Sequence, residues 1–242
     1  MTTIALHQPN YLPWLGYFQK IYASDVFIFH DVVELNRRSF TQRVYIRNVF
    51  GQSETAFLTV PLKKYPRFER IHHLYPAIEE SWQVNHLNKI KQVYRKAPFF
   101  ETYFPLLEAW LLDAKINTLS LSELNIQLII NILALLGIQR RLLKSSEMNF
   151  PLELKADFGI AWLVKQLNGT IYLSGEGAKK YQQEATYTAQ NIQLKYSTYS
   201  KFLLENHPPQ YQGDRLYGLS ILDALFNIGA EGILNHFKQF DS

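Results

Sequence analysis

The sequence predicts an α/β fold, namely a mostly parallel, Rossmann-like sheet with flanking helices, a β-hairpin excursion and a helical middle section. Three observations carry this. The chain opens strand, loop, helix, strand at the spacing of a βαβ unit; a capped apolar helix dominates its middle; and a second strand runs into a glycine-containing turn near residue 174.

Thr3 to Leu6 is a short apolar strand, followed by the turn His7-Gln8-Pro9-Asn10, a helix over Leu15 to Ala23, and a second strand over Asp25 to Phe29. So short a crossover predicts two parallel strands in one sheet. Ser39 to Asn48 and Thr55 to Leu62 alternate or run apolar around Asn48-Val49-Phe50-Gly51, which predicts a hairpin whose second strand stops at Pro61. Residues 63–80, rich in Pro, His and Arg, read as an irregular excursion over the surface. The spacing of Trp82, Leu87, Ile90 and Tyr94 predicts a helix, and Pro98 and Pro105 punctuate the segment after it. Ser120 with Glu123 forms a capping-box pattern, and Gly137 closes that helix. Gln139 to Lys144 is a strand, Ala156 to Leu167 a helix, and Thr170 to Leu173 a strand entering Ser174-Gly175-Glu176-Gly177. A strand over Ile192 to Tyr196 and a helix over Ser220 to Phe237, broken near Gly229, complete the order.

At 242 residues the chain is expected to form one domain, residues 1–242. Hydrophobic residues make up 47% and charged residues 19%, a globular balance. Leu128 to Ile138 is much shorter than the roughly 20 apolar residues that span a bilayer, so no integral membrane segment is expected. The start, Met-Thr-Thr-Ile-Ala-Leu-His, lacks a secretory signal, which predicts a cytoplasmic location. With no cysteine, thiolate nucleophiles, disulfides and zinc–thiolate sites are excluded. The net charge of +4 suits anionic ligands such as nucleotides, sugar phosphates or RNA, without choosing among them.

Ligands of open parallel sheets bind where the strands end. Two loops therefore stand out. The first, His7 to Tyr17, gathers His7, Gln8, Asn10, Tyr11, Trp14 and Tyr17, stiffened by Pro9 and Pro13, with Gly16 permitting close approach. It reads either as a preorganised site or as a buried aromatic turn in which His7 is only hydrogen-bonded. The second, Ser174-Gly175-Glu176-Gly177, offers backbone N–H groups and a hydroxyl to an anion at a helix start, or is simply a tight βα turn. Arg37, Arg38 and Arg43 could fork a phosphate or carboxylate, or be a solvated face. Asp31 could bind a ribose hydroxyl, a metal or an arginine. His72, His73 and His86 lack the spacing of a metal site, so no metal is assigned. Walker A, Gly-x-Gly-x-x-Gly and Gly-x-Ser-x-Gly signatures are absent.

Several separated blocks resemble one family, in order along nearly the whole chain. They are His7-Gln8-Pro9-Asn10-Tyr11-Leu12-Pro13-Trp14-Leu15-Gly16-Tyr17-Phe18; Asp31 with Arg38-Ser39-Phe40 and Arg43; Leu58-Thr59-Val60-Pro61; Tyr172-Leu173-Ser174-Gly175 with Tyr181; and Leu219-Ser220-Ile221-Leu222-Asp223. They resemble the WbqC-like proteins, a bacterial family whose members sit among genes for O-antigen and related surface glycans. The chain departs at Gln42-Arg43, where the family pattern leads one to expect Asn-Arg; an amide is kept but its reach changes. The layout of strand, His-containing loop, Gly16-Tyr17 and a following Asp is also similar to the nucleotidylyltransferase and pantothenate-synthetase superfamily, although Gly-His is usual there and the second imidazole is missing.

The resemblance implies a surface-glycan biosynthesis protein, read as a transferase moving an acyl or aminoacyl group to a nucleotide- or lipid-linked amino sugar. In that reading His7 is general base or oxyanion donor, with Tyr11 and Asp31 as its catalytic partners. Gln8, Asn10, Trp14, Gly16, Tyr17, Arg38, Arg43, Ser174, Gly175 and Tyr181 bind substrate. No cofactor is assigned beyond a nucleotide or activated acyl donor, for which aminoacyl-tRNA would suit the basic balance. The alternative is a non-catalytic carbohydrate-binding or assembly protein of the same pathway, whose aromatics stack on sugar rings.

Overall fold

The computed structural model describes residues 1–36, 39–48, 55–78, 81–205 and 218–241. The strands are β1 (Thr3–His7), β2 (Val26–Phe29), β3 (Arg43–Arg47), β4 (Thr55–Thr59), β5 (Arg141–Lys144), β6 (Ile171–Gly175) and β7 (Gln193–Ser197). The helices are α1 (Leu15–Tyr22), α2 (Trp82–Tyr94), α3 (Phe100–Leu112), α4 (Leu121–Leu135), α5 (Ala156–Gln166), α6 (Glu184–Thr188), α7 (Tyr199–Glu205) and α8 (Ile221–Asp241). Short 3-10 turns follow β5 and β6.

Five strands form one parallel sheet in the order β5-β2-β1-β6-β7, and β3 and β4 form a separate antiparallel pair. Because side chains alternate along a strand, the central strands feed two cores. Ile4 and Leu6 of β1, with Val26 and Ile28 of β2, pack with Ala161, Leu163 and Val164 of α5. Ala5, Phe27 and Phe29 point the other way, into the larger core built by α1, α2, α3, α4 and α8. Both faces of the sheet are thus covered, as a parallel sheet requires.

The helix boundaries follow local chemistry. The Ser120 hydroxyl accepts from the Glu123 N–H while Glu123 accepts from the Ser120 N–H, and Gly137 beyond the helix takes φ +64°. Gly229 breaks α8 with φ +69° and ψ 176°. Two expectations needed correction. Pro105 does not interrupt the middle section but lies inside α3, where burial of Phe100, Phe104, Leu107 and Leu111 outweighs the one missing N–H. The strand expected to end at Leu173 continues through Gly175, because Ser174 pairs with Tyr196 and Gly175 with Ser197. A short 3-10 turn, Glu176–Lys180, follows in place of a longer helix. The hairpin turn expected at 48–51 lies, from residue 49 onward, outside the described residues.

Candidate functional site

Strand β1 is the hinge of the topology. The chain leaves it for β2 and β5 on one side, then crosses through α5 to β6 and β7 on the other. Where strand order reverses, the loops beyond the carboxyl ends of neighbouring strands diverge and leave a crevice. A cavity of about 590 Å³ lies there, walled by His7 of β1, Tyr17 and Lys20 of α1, Ser174 and Gly175 of β6, and Tyr181. A second, more apolar cavity of about 260 Å³ is bounded by Asn10, Tyr11, Pro13 and Val44. The two share His7, Trp14, Phe40 and Ser200, which makes them lobes of one cleft with His7 at their junction.

The first loop is held from several sides. The Tyr11 N–H donates to the Phe40 carbonyl (3.1 Å), and Asn125 of α4 donates through Nδ2 to the carbonyls of Pro9 (2.8 Å) and Thr41 (2.7 Å). The Ser220 hydroxyl donates to the Leu12 carbonyl (2.9 Å) and the Ile221 N–H to that of Pro13 (2.8 Å). His86 Nε2 faces the Thr59 carbonyl, so Nε2 carries the proton and Nδ1 accepts from the Tyr11 hydroxyl at 2.9 Å. Together these hold Leu12 at φ +41°, a left-handed conformation that costs a branched side chain about 1–3 kcal/mol. The loop is therefore over-determined, which suits a site that must keep its shape.

His7 and Lys20 set the electrostatics. His7 Nδ1 donates to the Gln8 carbonyl (3.1 Å), a partner that can only accept, which fixes the tautomer and makes Nε2 the acceptor. Burial, and then the charge of Lys20, lower the His7 pKa to about 3, so the imidazole is neutral at physiological pH. Lys20 is only 5% exposed, donates to the Leu6 carbonyl (2.9 Å), and has no acidic partner among the described residues. Burial lowers its pKa to about 7.

Of the other expected residues, Trp14, Gly16, Tyr17, Ser174, Gly175 and Tyr181 line the larger lobe. Gly16 has a specific task, since a Cβ there would lie 2.3 Å from the Trp14 ring; its absence lets the indole lie across α1. Asn10 and Tyr11 line the smaller lobe, and the Thr41 hydroxyl reaches both Gln8 Oε1 (3.2 Å) and Asn10 Oδ1 (3.3 Å). Tyr17 donates to the Gln8 carbonyl (3.0 Å). Ser174 donates to Gln182, which leads through Tyr187 to the buried Asp157.

Two expected residues lie elsewhere. Asp31 lines neither lobe; Ser145 and Ser146 donate to its carboxylate at 2.8–3.0 Å and fix the start of the turn after β5. Arg43 lies on β3 with its guanidinium 4.0 Å above the Phe57 ring, also outside both lobes. Arg38 lies outside the described residues. His72 Nδ1 donates to the Asp31 carbonyl, which can only accept, and His73 contacts Glu69.

The family model for the WbqC-like protein family matches residues 8–234. The chain belongs to the WbqC-like family. A relative in Mycobacterium tuberculosis (strain ATCC 25618 / H37Rv), described as the uncharacterized protein Rv1507c, is 30% identical over 231 residues, covering 96% of each chain. No solved structure matches. The WbqC-like blocks map onto the cleft and its supports. The first block forms the loop, Tyr172 to Gly175 forms the opposite wall, and Leu219 to Asp223 braces the loop from behind. No helix among the described residues is long and apolar enough to cross a membrane.

Lys20 escaped the sequence reading, although a signal was present. In Leu15-Gly16-Tyr17-Phe18-Gln19-Lys20-Ile21-Tyr22, apolar residues surround the helix on every side, and such helices are buried all round. The one lysine in such a segment is buried together with its helix.

Proposed function

We propose that the protein is a transferase of bacterial surface-glycan (O-antigen type) biosynthesis, which moves an acyl or aminoacyl group onto an amino sugar carried on a nucleotide or lipid. One observation carries this reading: a neutral imidazole, its tautomer fixed by Gln8 and its Nε2 free to accept, stands where a larger lobe meets a smaller, more apolar one. The larger lobe suits the sugar and its anionic carrier, and the smaller suits the acyl chain.

In the transfer, the sugar amine attacks the acyl carbonyl. The new C–N bond forms as the ester or thioester bond to the donor breaks. His7 Nε2 relays the ammonium proton to the departing oxygen or sulfur as that bond breaks, so that no imidazolium accumulates. Asn10 lines the smaller lobe, and because its Oδ1 meets the Thr41 hydroxyl, its Nδ2 donors are left for a developing oxyanion there. An activated acyl donor, aminoacyl-tRNA included, and a nucleotide-linked sugar are the substrates this requires.

The test incubates the purified protein with uridine-diphosphate amino sugars and acyl or aminoacyl donors, and reads the sugar product by mass. A product carrying the acyl mass, reduced about 100-fold or more by His7→Ala, is expected. Undiminished product from His7→Ala would refute the assigned role. A second reading, a carbohydrate-binding protein without catalysis, draws on a specific observation: Asp31 and Arg43 do not join His7, while Trp14 and the 45% exposed Phe40 form an aromatic wall. Oligosaccharide binding indifferent to His7, with no product from any donor, would establish it.

A further inference from the structure

A lysine that is 5% exposed, paired with no carboxylate among the described residues and still facing a cavity is an incomplete arrangement. Buried charges are normally paired, because removing an ammonium from water costs several kcal/mol. Other buried ionic groups in this chain obey the rule. Asp223 pairs with Arg47 at 2.6 Å, and the Asp31 and Asp157 carboxylates accept from hydroxyl and N–H donors. Lys20 has one backbone carbonyl, that of Leu6. An ammonium has three N–H donors, so acceptor capacity is missing on the side where the cleft opens.

We propose that Lys20 is the anion-binding residue of this cleft, and that an oxyanion of the ligand, phosphate or carboxylate, supplies its missing counter-charge. The assignment rests on the cleft being a ligand site, as proposed above, and deepens it by moving the anion contact from the arginines after β2 to the floor of the larger lobe. Two features agree. Gly175 and Gly177 leave open space in the same lobe where side chains would otherwise stand, although the Ser174 hydroxyl there is already given to Gln182. Of the titratable groups that share the lobe, His7 is neutral, Tyr17 and Tyr172 are held protonated by burial, Tyr199 is bonded to His236, and Tyr181 is exposed. Glu176 is the acidic group in the lining, so Lys20 is the cation there that can offset a bound anion.

The arrangement also couples binding to chemistry. The charge of Lys20 is one of the causes that hold His7 protonation down. An anion seated on Lys20 offsets that one contribution, while burial, the larger cause of the low His7 pKa, remains.

The test follows the Lys20 Nζ by 15N NMR in the full chain with labelled lysine, assigned by comparison with Lys20→Arg and Lys20→Met. Inorganic phosphate, uridine diphosphate and acetate are the probes. One of them is expected to raise the Lys20 titration midpoint by about one pH unit or more, and its Kd in Lys20→Met is expected to be roughly 10- to 100-fold weaker. Above pH 7 that Kd should weaken by up to about tenfold per pH unit in the native chain, and stay flat in Lys20→Arg. A response to phosphate and uridine diphosphate alone assigns a phosphate ligand, and a response to acetate alone a carboxylate. If none of the three moves the Lys20 signal, or if Lys20→Met with an undiminished melting temperature binds as tightly as the native chain, the assignment is overturned. Anion binding that depends on Lys20, found with no acyl transfer from any donor, would retain this inference and remove only the transferase reading.

Discussion

Asn125 offers a stringent test of how the cleft is held. Its side chain is fully buried, and its Nδ2 donates to two carbonyls from separate segments, Pro9 in the first loop and Thr41 before β3. Asn125→Ala removes both bonds and leaves two acceptors in a space too apolar to hydrate them readily. A buried hydrogen bond contributes about 1 kcal/mol and an unsatisfied buried acceptor costs about 1–3 kcal/mol. The Oδ1 of Asn125 has no hydrogen-bond partner, so deleting it recovers part of that loss. The balance is a destabilisation of about 3 kcal/mol, seen as a urea midpoint lower by about 1 M. Gln127→Ala, two residues along the same helix and exposed, should stay within about 0.5 kcal/mol and serves as the control. Because the broken bonds lie in the site loop, Asn125→Ala should also change the near-ultraviolet circular dichroism of the packed aromatics. A loss below about 0.5 kcal/mol, indistinguishable from Gln127→Ala, would refute the claim that α4 pins the loop.

Further predictions concern the cleft wall and acid stability. Gly16→Ala places a Cβ against the Trp14 ring, so the indole must swing off α1; tryptophan emission should shift while far-ultraviolet circular dichroism stays native. Unchanged emission would show that the indole does not depend on Gly16. Burial lowers the pKa of His7 to about 3, and of His30 and His86 to about 4, against an unfolded value of 6.5. The folded state therefore excludes protons that the unfolded chain binds, so this contribution is full above pH 6.5 and is lost as pH falls toward 4. Each group accounts for at most about 1.4 kcal/mol per pH unit in that window. Melting temperatures between about pH 7 and pH 4.5 should fall steeply with acidification, and a flat profile would contradict the buried neutral imidazoles.

What could be read in the sequence was local. The βαβ opening, the Ser120–Glu123 capping box and the Gly229 break depend on residues a few positions apart, and each was found as expected. The first loop stood out because its polar and aromatic side chains are adjacent in sequence. The fates of Asp31 and Arg43 were not legible, because each was settled by a partner distant in the chain or across a hairpin. Ser145 and Ser146 claimed the first, more than a hundred residues away, and the Phe57 ring claimed the second. The extension of β6 through Gly175 likewise depended on pairing with β7, which glycine propensity argues against.

The brace from Ser220 to Leu12 joins positions 208 residues apart. In N-to-C synthesis the loop that carries His7 is made well before the serine that closes its far side, 208 residues further along the chain. Until then Leu12 lacks one of the bonds that hold its left-handed backbone, and Pro13 lacks the Ile221 N–H. The cleft therefore cannot mature progressively as the chain emerges. A nascent chain halted before residue 219 would carry the sheet's central strands without the brace behind the first loop.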